Sequence, residues 1–105
     1  MDHYNCISSE EALALIESGA KVVDIRDPAS FNAGHIPDSF NLSNDNLQDY
    51  IAAADMEIPL IVCCYHGISS QNAAQFLAHQ GFEHVSSLNG GFEGWAASHA
   101  DKIER

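Results

Sequence analysis

Pro59 is followed by five consecutive apolar residues, Leu60-Ile61-Val62-Cys63-Cys64, and then at once by Tyr65-His66-Gly67-Ile68-Ser69-Ser70. A short apolar run with no polar alternation is the pattern of a strand covered on both faces, as in the centre of a parallel sheet. Such a strand restricts the rest of the chain severely. Parallel neighbours need crossover connections, usually helical, and those helices must lie on both sides of the sheet.

The remaining residues fit that demand. Short apolar runs predict further strands at 4–7, 21–25, 39–42 and 84–88. Between them lie helical patterns. Ser8-x-x-Glu11 is a capping-box start for a helix with Ala12, Leu13, Leu15 and Ile16 on its apolar side, ended by Gly19. Asp27-Pro28 opens a turn or short helix anchored by Phe31. Ser43 or Asn44 is the expected cap of a helix running to about residue 54, with Leu47, Tyr50 and Ile51 inward. Ser69 or Ser70 is expected to cap a helix to Gln80 with Ala73, Phe76 and Leu77 inward, and Gly90-Gly91 turns into a last helix carrying Phe92 and Trp95. The expected fold is a single α/β domain over residues 1–105, with a mostly parallel sheet.

The charge is lopsided: fifteen acids face four bases, for a formal net of −11. Those bases are Lys21, Arg26, Lys102 and Arg105, so residues 27–101 contain no lysine or arginine. Nucleic acid and acidic membrane surfaces are therefore excluded as expected partners, since no basic stripe can neutralise phosphates. No stretch approaches the roughly 18 apolar residues of a membrane span. The opening Met1-Asp2-His3-Tyr4-Asn5 has neither the basic nor the apolar region of a secretory leader. Three cysteines, two of them adjacent, make no disulfide framework, and a reducing cytoplasm is the expected location.

Cys64 ends the apolar run just where a Gly/Ser turn feeds a helix. Backbone N–H groups and the positive end of that helix then point at one sulfur, which favours thiolate over thiol. Free cysteine is also often a small buried hydrophobe, a reading that suits Cys63 and Cys6, inside expected strands, better than Cys64. A disulfide between adjacent Cys63 and Cys64 would demand unusual geometry. The six histidines form no ligand pair at helical or finger spacing, so no metal site is expected.

Three segments together resemble the rhodanese family, the thiosulfate sulfurtransferases, over nearly the whole chain. Asp24-Ile25-Arg26 with Phe31-Asn32-Ala33-Gly34-His35-Ile36-Pro37 is similar to an N-terminal signature. Cys64 to Ser69 is similar to the six-residue active-site loop, and Gly90-Gly91-Phe92-Glu93-Gly94-Trp95 to a C-terminal signature. The loop is closest to that of small bacterial single-domain enzymes reading Cys-Tyr-His-Gly. The resemblance implies a five-stranded parallel sheet with helices on both faces and no cofactor. It also implies that Cys64 takes the sulfane sulfur of thiosulfate as a persulfide, releases sulfite, and passes the sulfur to a thiophilic acceptor, cyanide or a thioredoxin-like dithiol protein.

Tyr65, His66, Gly67, Ile68, Ser69 and Ser70 are the expected substrate-binding residues around Cys64. Their amides would hold the thiolate and the persulfide alike, with Gly67 permitting the tight path and Tyr65 and Ile68 shaping the rim. Asp24 and Arg26 are expected to form a structural charge pair, His35 to be packed and hydrogen-bonded, and Phe92 and Trp95 to be core. Two alternatives remain at this point. Phosphatases and arsenate reductases of similar fold use a Cys-x5-Arg loop, but the sixth position after Cys64 is Ser70. A non-catalytic rhodanese-like binding module is the other, although such modules often lack the cysteine that this loop keeps.

Overall fold

The computed structural model describes residues 3–105; Met1 and Asp2, which enter the leader-peptide reading, lie outside them. Strands β1 (Asn5–Ile7), β2 (Lys21–Asp24), β3 (Phe40–Asn41), β4 (Leu60–Cys63) and β5 (Val85–Leu88) alternate with helices α1 (Ser9–Glu17), α2 (Pro28–Ala33), α3 (Leu47–Ala53), α4 (Ser69–His79) and α5 (Gly91–Ser98). The sheet order is β1-β5-β4-β2-β3. Every pairing is parallel, with Asp24 beside Cys63 and Val62 beside Ser87. The apolar run from Leu60 is therefore the central strand, flanked on both sides and covered on both faces.

Alternation along the strands divides the core in two. Val23, Leu60, Val62 and Val85 face a layer closed by Ala74, Leu77 and Ala78 of α4, with Leu47, Tyr50 and Ile51 of α3 against it. Val22, Ile61, Cys63 and Leu88 face the opposite layer, closed by Ala12 of α1 and Trp95 of α5. The helices on both faces are thus fixed by a period of two in the strands.

Local chemistry sets the element ends. Ser8 caps α1 through its side chain, and Glu11 bonds back to the Ser8 amide at 2.9 Å, completing the capping box. At the far end the Gly19 and Ala20 amides close on the Ile16 and Leu15 carbonyls, the paired bonds of a Schellman stop. Asp27 caps α2 by accepting from the Ser30 amide, with Pro28 in its first turn.

Four expectations are corrected. Helix α3 begins at Leu47 rather than near residue 44, because Ser43 to Asn46 close a turn of their own: the Ser43 amide donates to the Asn46 side chain at 2.8 Å. Helix α4 begins at Ser69 itself, with Ile68 in the cap position and no side-chain cap. Its buried face is Ser70, Ala74, Leu77 and Ala78, while Phe76 remains 41% exposed. Positions 70, 74, 77 and 78 share a helical face, and small residues there let α4 approach the sheet; a phenylalanine would hold it off. Cys6, finally, lies in edge strand β1 and is exposed rather than buried. Among the described residues no helix is long and apolar enough to cross a membrane.

Candidate active site

Cys64 follows the last residue of the central strand, at the carboxyl edge of the sheet where open α/β folds place their ligands. Its side chain is buried, and two amides converge on it: Gly67 N lies 3.1 Å and Ser70 N 3.3 Å from Sγ. Ser70 is the second residue of α4, so its amide is one of the orphan donors of a helix start. Serine caps were expected here, and the structure shows why there are none. The cysteine sulfur takes the place that a capping hydroxyl would occupy.

The thiol is held below its ordinary pKa. Burial is the largest influence and pushes it up, but the Ser70 hydroxyl and the amides of Ser70, Gly67 and His66 together outweigh burial by stabilising the thiolate. Cys63 shows the contrast. It faces the opposite core layer among apolar side chains, and burial pushes its thiol far up. Two adjacent cysteines thus have opposite chemistry because successive side chains leave a strand on opposite faces.

The other loop residues divide by position. Gly67 is buried at φ +87°, and a Cβ there would lie 2.7 Å from the Gly90 amide nitrogen. Tyr65 is exposed on the rim, its hydroxyl bonded to the Asp27 carboxylate. That bond is the chief reason the Asp27 carboxyl titrates at about 2, with the Ser30 side chain and amide adding to it. His66 Nδ1 lies 3.5 Å from Glu93 of α5, both side chains largely in solvent. Ile68 is 75% exposed, and Ser69 is exposed at the start of α4. The structure brings Gly67 and Ser70 onto the sulfur, with the His66 amide also favouring the thiolate, and leaves the side chains of Tyr65, His66, Ile68 and Ser69 at the rim.

Further contributors were not singled out from the sequence. The N-terminus of α5 holds the loop from below: Phe92 N donates to the Cys64 carbonyl at 2.8 Å and Glu93 N to that of Tyr65 at 3.2 Å. Gln71 Nε2 donates to the Gly67 carbonyl at 3.0 Å, and Tyr4 donates to Gln71 in turn. Ser87 on β5 lies 2.7 Å from the Ser70 hydroxyl. The repeated glycines of Gly90-Gly91 were the available signal for the close approach of α5.

Asp24 and Arg26 form the expected pair, 2.8 Å apart and buried. Arg26 also donates to the Gly34 carbonyl at 2.6 Å and stacks over Phe92, 4.2 Å from the ring centroid. Its charge is committed to structure, and Phe92, half-buried, serves as its platform rather than as plain core. Trp95 is core, and its indole donates to the Lys102 carbonyl at 2.8 Å. His35 stacks on Phe31, bonds its carbonyl at 2.7 Å and bridges to Glu104 across an antiparallel pair, which straps the C-terminal residues down.

A rhodanese-like domain family matches residues 8–98. The chain belongs to the rhodanese family. It is 50% identical over 102 residues to a protein of Pseudomonas savastanoi pv. phaseolicola, covering 97% of this chain and 96% of that one. It is 52% identical over 104 residues to one of Stutzerimonas stutzeri, covering 99% and 95%. Both relatives are named thiosulfate sulfurtransferase GlpE. Among solved structures, a rhodanese-related protein from Thermoplasma volcanium superposes with a TM-score of 0.78 at 26% identity, covering 91% of this chain and 94% of that one. In this rhodanese, then, the sulfur just past the central strand is met by amides rather than by side-chain cations.

Proposed function

We propose that this rhodanese is a thiosulfate sulfurtransferase working as a single domain through a persulfide on Cys64. The Cys64 thiolate attacks the outer sulfur of thiosulfate; the S–S bond to the sulfonate sulfur breaks, and sulfite leaves with the bonding pair. The terminal sulfur of the resulting persulfide then goes to a nucleophilic acceptor, cyanide or a thiolate of a dithiol protein, and the Cys64 thiolate returns. One transfer becomes two displacements at the same sulfur. The observation that carries this reading is the convergence of the Gly67 and Ser70 amides on Sγ. Those donors favour an anion before and after each step without a proton having to move. Near-full-length identity to enzymes named for this activity supports the substrate class.

The position held by arginine in Cys-x5-Arg enzymes is Ser70, buried against Ser87. Nothing there can grip an oxyanion bidentately, which weighs against phosphoryl chemistry. The retained and activated cysteine weighs against a purely binding module. All three cysteines are free thiols, in keeping with a reducing cytoplasm.

The test is direct. Incubated with thiosulfate, the protein gains one sulfur atom by mass spectrometry, and cyanide removes it as thiocyanate. Cys64→Ser gains none. Sulfur retained by that variant would place the carrier elsewhere.

A further inference from the structure

Ser70 and Ser87 are both completely buried, and their hydroxyl oxygens lie 2.7 Å apart where α4 packs on β5. The layer around them is apolar, formed by Val62, Ala74, Leu77 and Val85. Two hydroxyls there cost desolvation that alanines would not, so their orientation matters. A serine hydroxyl has one proton and two lone-pair sites. If Ser70 gave its proton to Ser87, its lone pairs would be left facing Cys64 and would repel a thiolate. If Ser87 gives its proton to Ser70, the Ser70 proton is free for the sulfur, whose neighbour the Ser70 amide already is at 3.3 Å.

We propose that Ser87 is a positioning residue: its hydroxyl donates to Ser70 Oγ and thereby holds the Ser70 proton on the Cys64 sulfur. The relay runs from β5 through α4 to the end of β4, the three elements that meet beneath the loop. Ser87 never touches the substrate. It acts by occupying a Ser70 lone pair, which fixes and polarises the Ser70 hydroxyl; without that bond the Ser70 side chain can turn its proton to a carbonyl of its own helix instead of the sulfur.

This inference rests on Cys64 being the nucleophile, and the experiment separates the two. The probe is iodoacetamide, whose alkylation rate follows the thiolate fraction as pH is raised. A Cys6→Ser background removes the exposed thiol on β1, and Cys63 stays silent because burial holds it protonated. The titratable or charged groups around the sulfur are Cys63 on β4, Asp24 and Arg26 at the end of β2, Asp27 of α2, Tyr65 and His66 in the loop, and Glu93 on α5. All remain in every variant, so they move the curves together.

Ser87→Ala is expected to raise the inflection by about half to one pH unit, the size of one hydrogen bond between neutral groups. Ser70→Ala raises it at least as far, and the double variant matches Ser70→Ala alone, because Ser87 acts only through Ser70. Ser87→Thr keeps the hydroxyl and keeps the inflection of the parent. Should the alanine prove unstable, Ser87→Val set against Ser87→Thr removes the hydroxyl at equal side-chain shape, and the same rise is expected between those two. An unmoved inflection in Ser87→Ala, or shifts that add in the double variant, would overturn the relay. Thiosulfate loading followed by mass spectrometry is run on the same proteins. Normal loading with an unmoved inflection removes only the relay, whereas a parent that takes up no sulfur removes the sulfurtransferase reading.

Discussion

A Cβ on Gly91 would lie 2.5 Å from the Cys64 carbonyl oxygen and 2.6 Å from the His66 amide nitrogen. Both are backbone atoms of the active loop, so relief requires the loop or α5 to move. Gly91 also adopts φ +57°, which disfavours any side chain by roughly 1–2 kcal/mol. Gly19 makes a useful contrast: its φ of +110° is equally glycine-like, yet a Cβ there would meet nothing within 4 Å. Both alanine variants are expected to melt at lower temperature. Only Gly91→Ala is expected to load sulfur from thiosulfate more slowly, by about tenfold or more, because displaced donors weaken stabilisation of the anion. Melting curves and stopped-time mass spectrometry measure the two effects. Equal loading rates in the two variants would mean that the close approach of α5 does not hold the loop in shape. The sequence showed the glycine pair; it could not show that the neighbour being approached was the cysteine loop, some 25 residues away in the chain.

Helix α2 is coupled to the loop through the Tyr65 hydroxyl, which donates to the Asp27 carboxylate and accepts from the Asp27 amide at 3.3 Å. The same carboxylate caps α2 through Ser30, so one side chain serves two elements. Because the tyrosine is the largest influence holding Asp27 at about 2, Tyr65→Phe should let that pKa rise toward, though not fully to, the ordinary carboxylate range. The sign is that of a depressed acid. The link is complete above the ordinary range and is lost as pH falls through about 2, whereas in the phenylalanine variant the ionised cap is lost at higher pH. Carboxyl-carbon NMR titration of Asp27 reads this shift, and an unchanged value would assign the depression to Ser30 alone. At this scale the sequence was readable wherever the signal was local. The Ser8–Glu11 box and the Asp27-Pro28 start both form as their spacing implies. It misled where a distant group intervened. Serines at the start of α4 read as caps, but the sulfur of a residue several positions earlier already fills that role. Phe76 read as core because it is large, but the helix had to turn small residues to the sheet. The strap from Glu104 to His35 joins residues far apart in sequence and has no local signature.

Over the whole molecule, charge decides how thiosulfate is held. The net charge is −11, and Arg26, just past the end of β2, is buried on Asp24. Asp27 and Glu93 stand at the rim, both exposed. On the proposed mechanism a dianion approaches against repulsion and is held by the amides, the α4 N-terminus and the hydroxyl of Ser70. Ionic strength separates this arrangement from binding by a side-chain cation. The Debye length is about 30 Å at 0.01 M salt and about 10 Å at 0.1 M. With a radius of gyration of 12.3 Å, the loop feels the charge of the entire molecule at low salt and mainly that of its nearest carboxylates at moderate salt. Screening thus removes repulsion while leaving the short amide contacts largely intact. The KM for thiosulfate is expected to be high and to fall between 0.01 and 0.1 M sodium chloride. A cation-based site would behave in the opposite way, since salt weakens an attractive pair. Steady-state kinetics at fixed pH across that range decide the matter: a KM that rises with salt would mean that a lysine or arginine reaches the substrate after all, and the account of an anion held by backbone donors would fail.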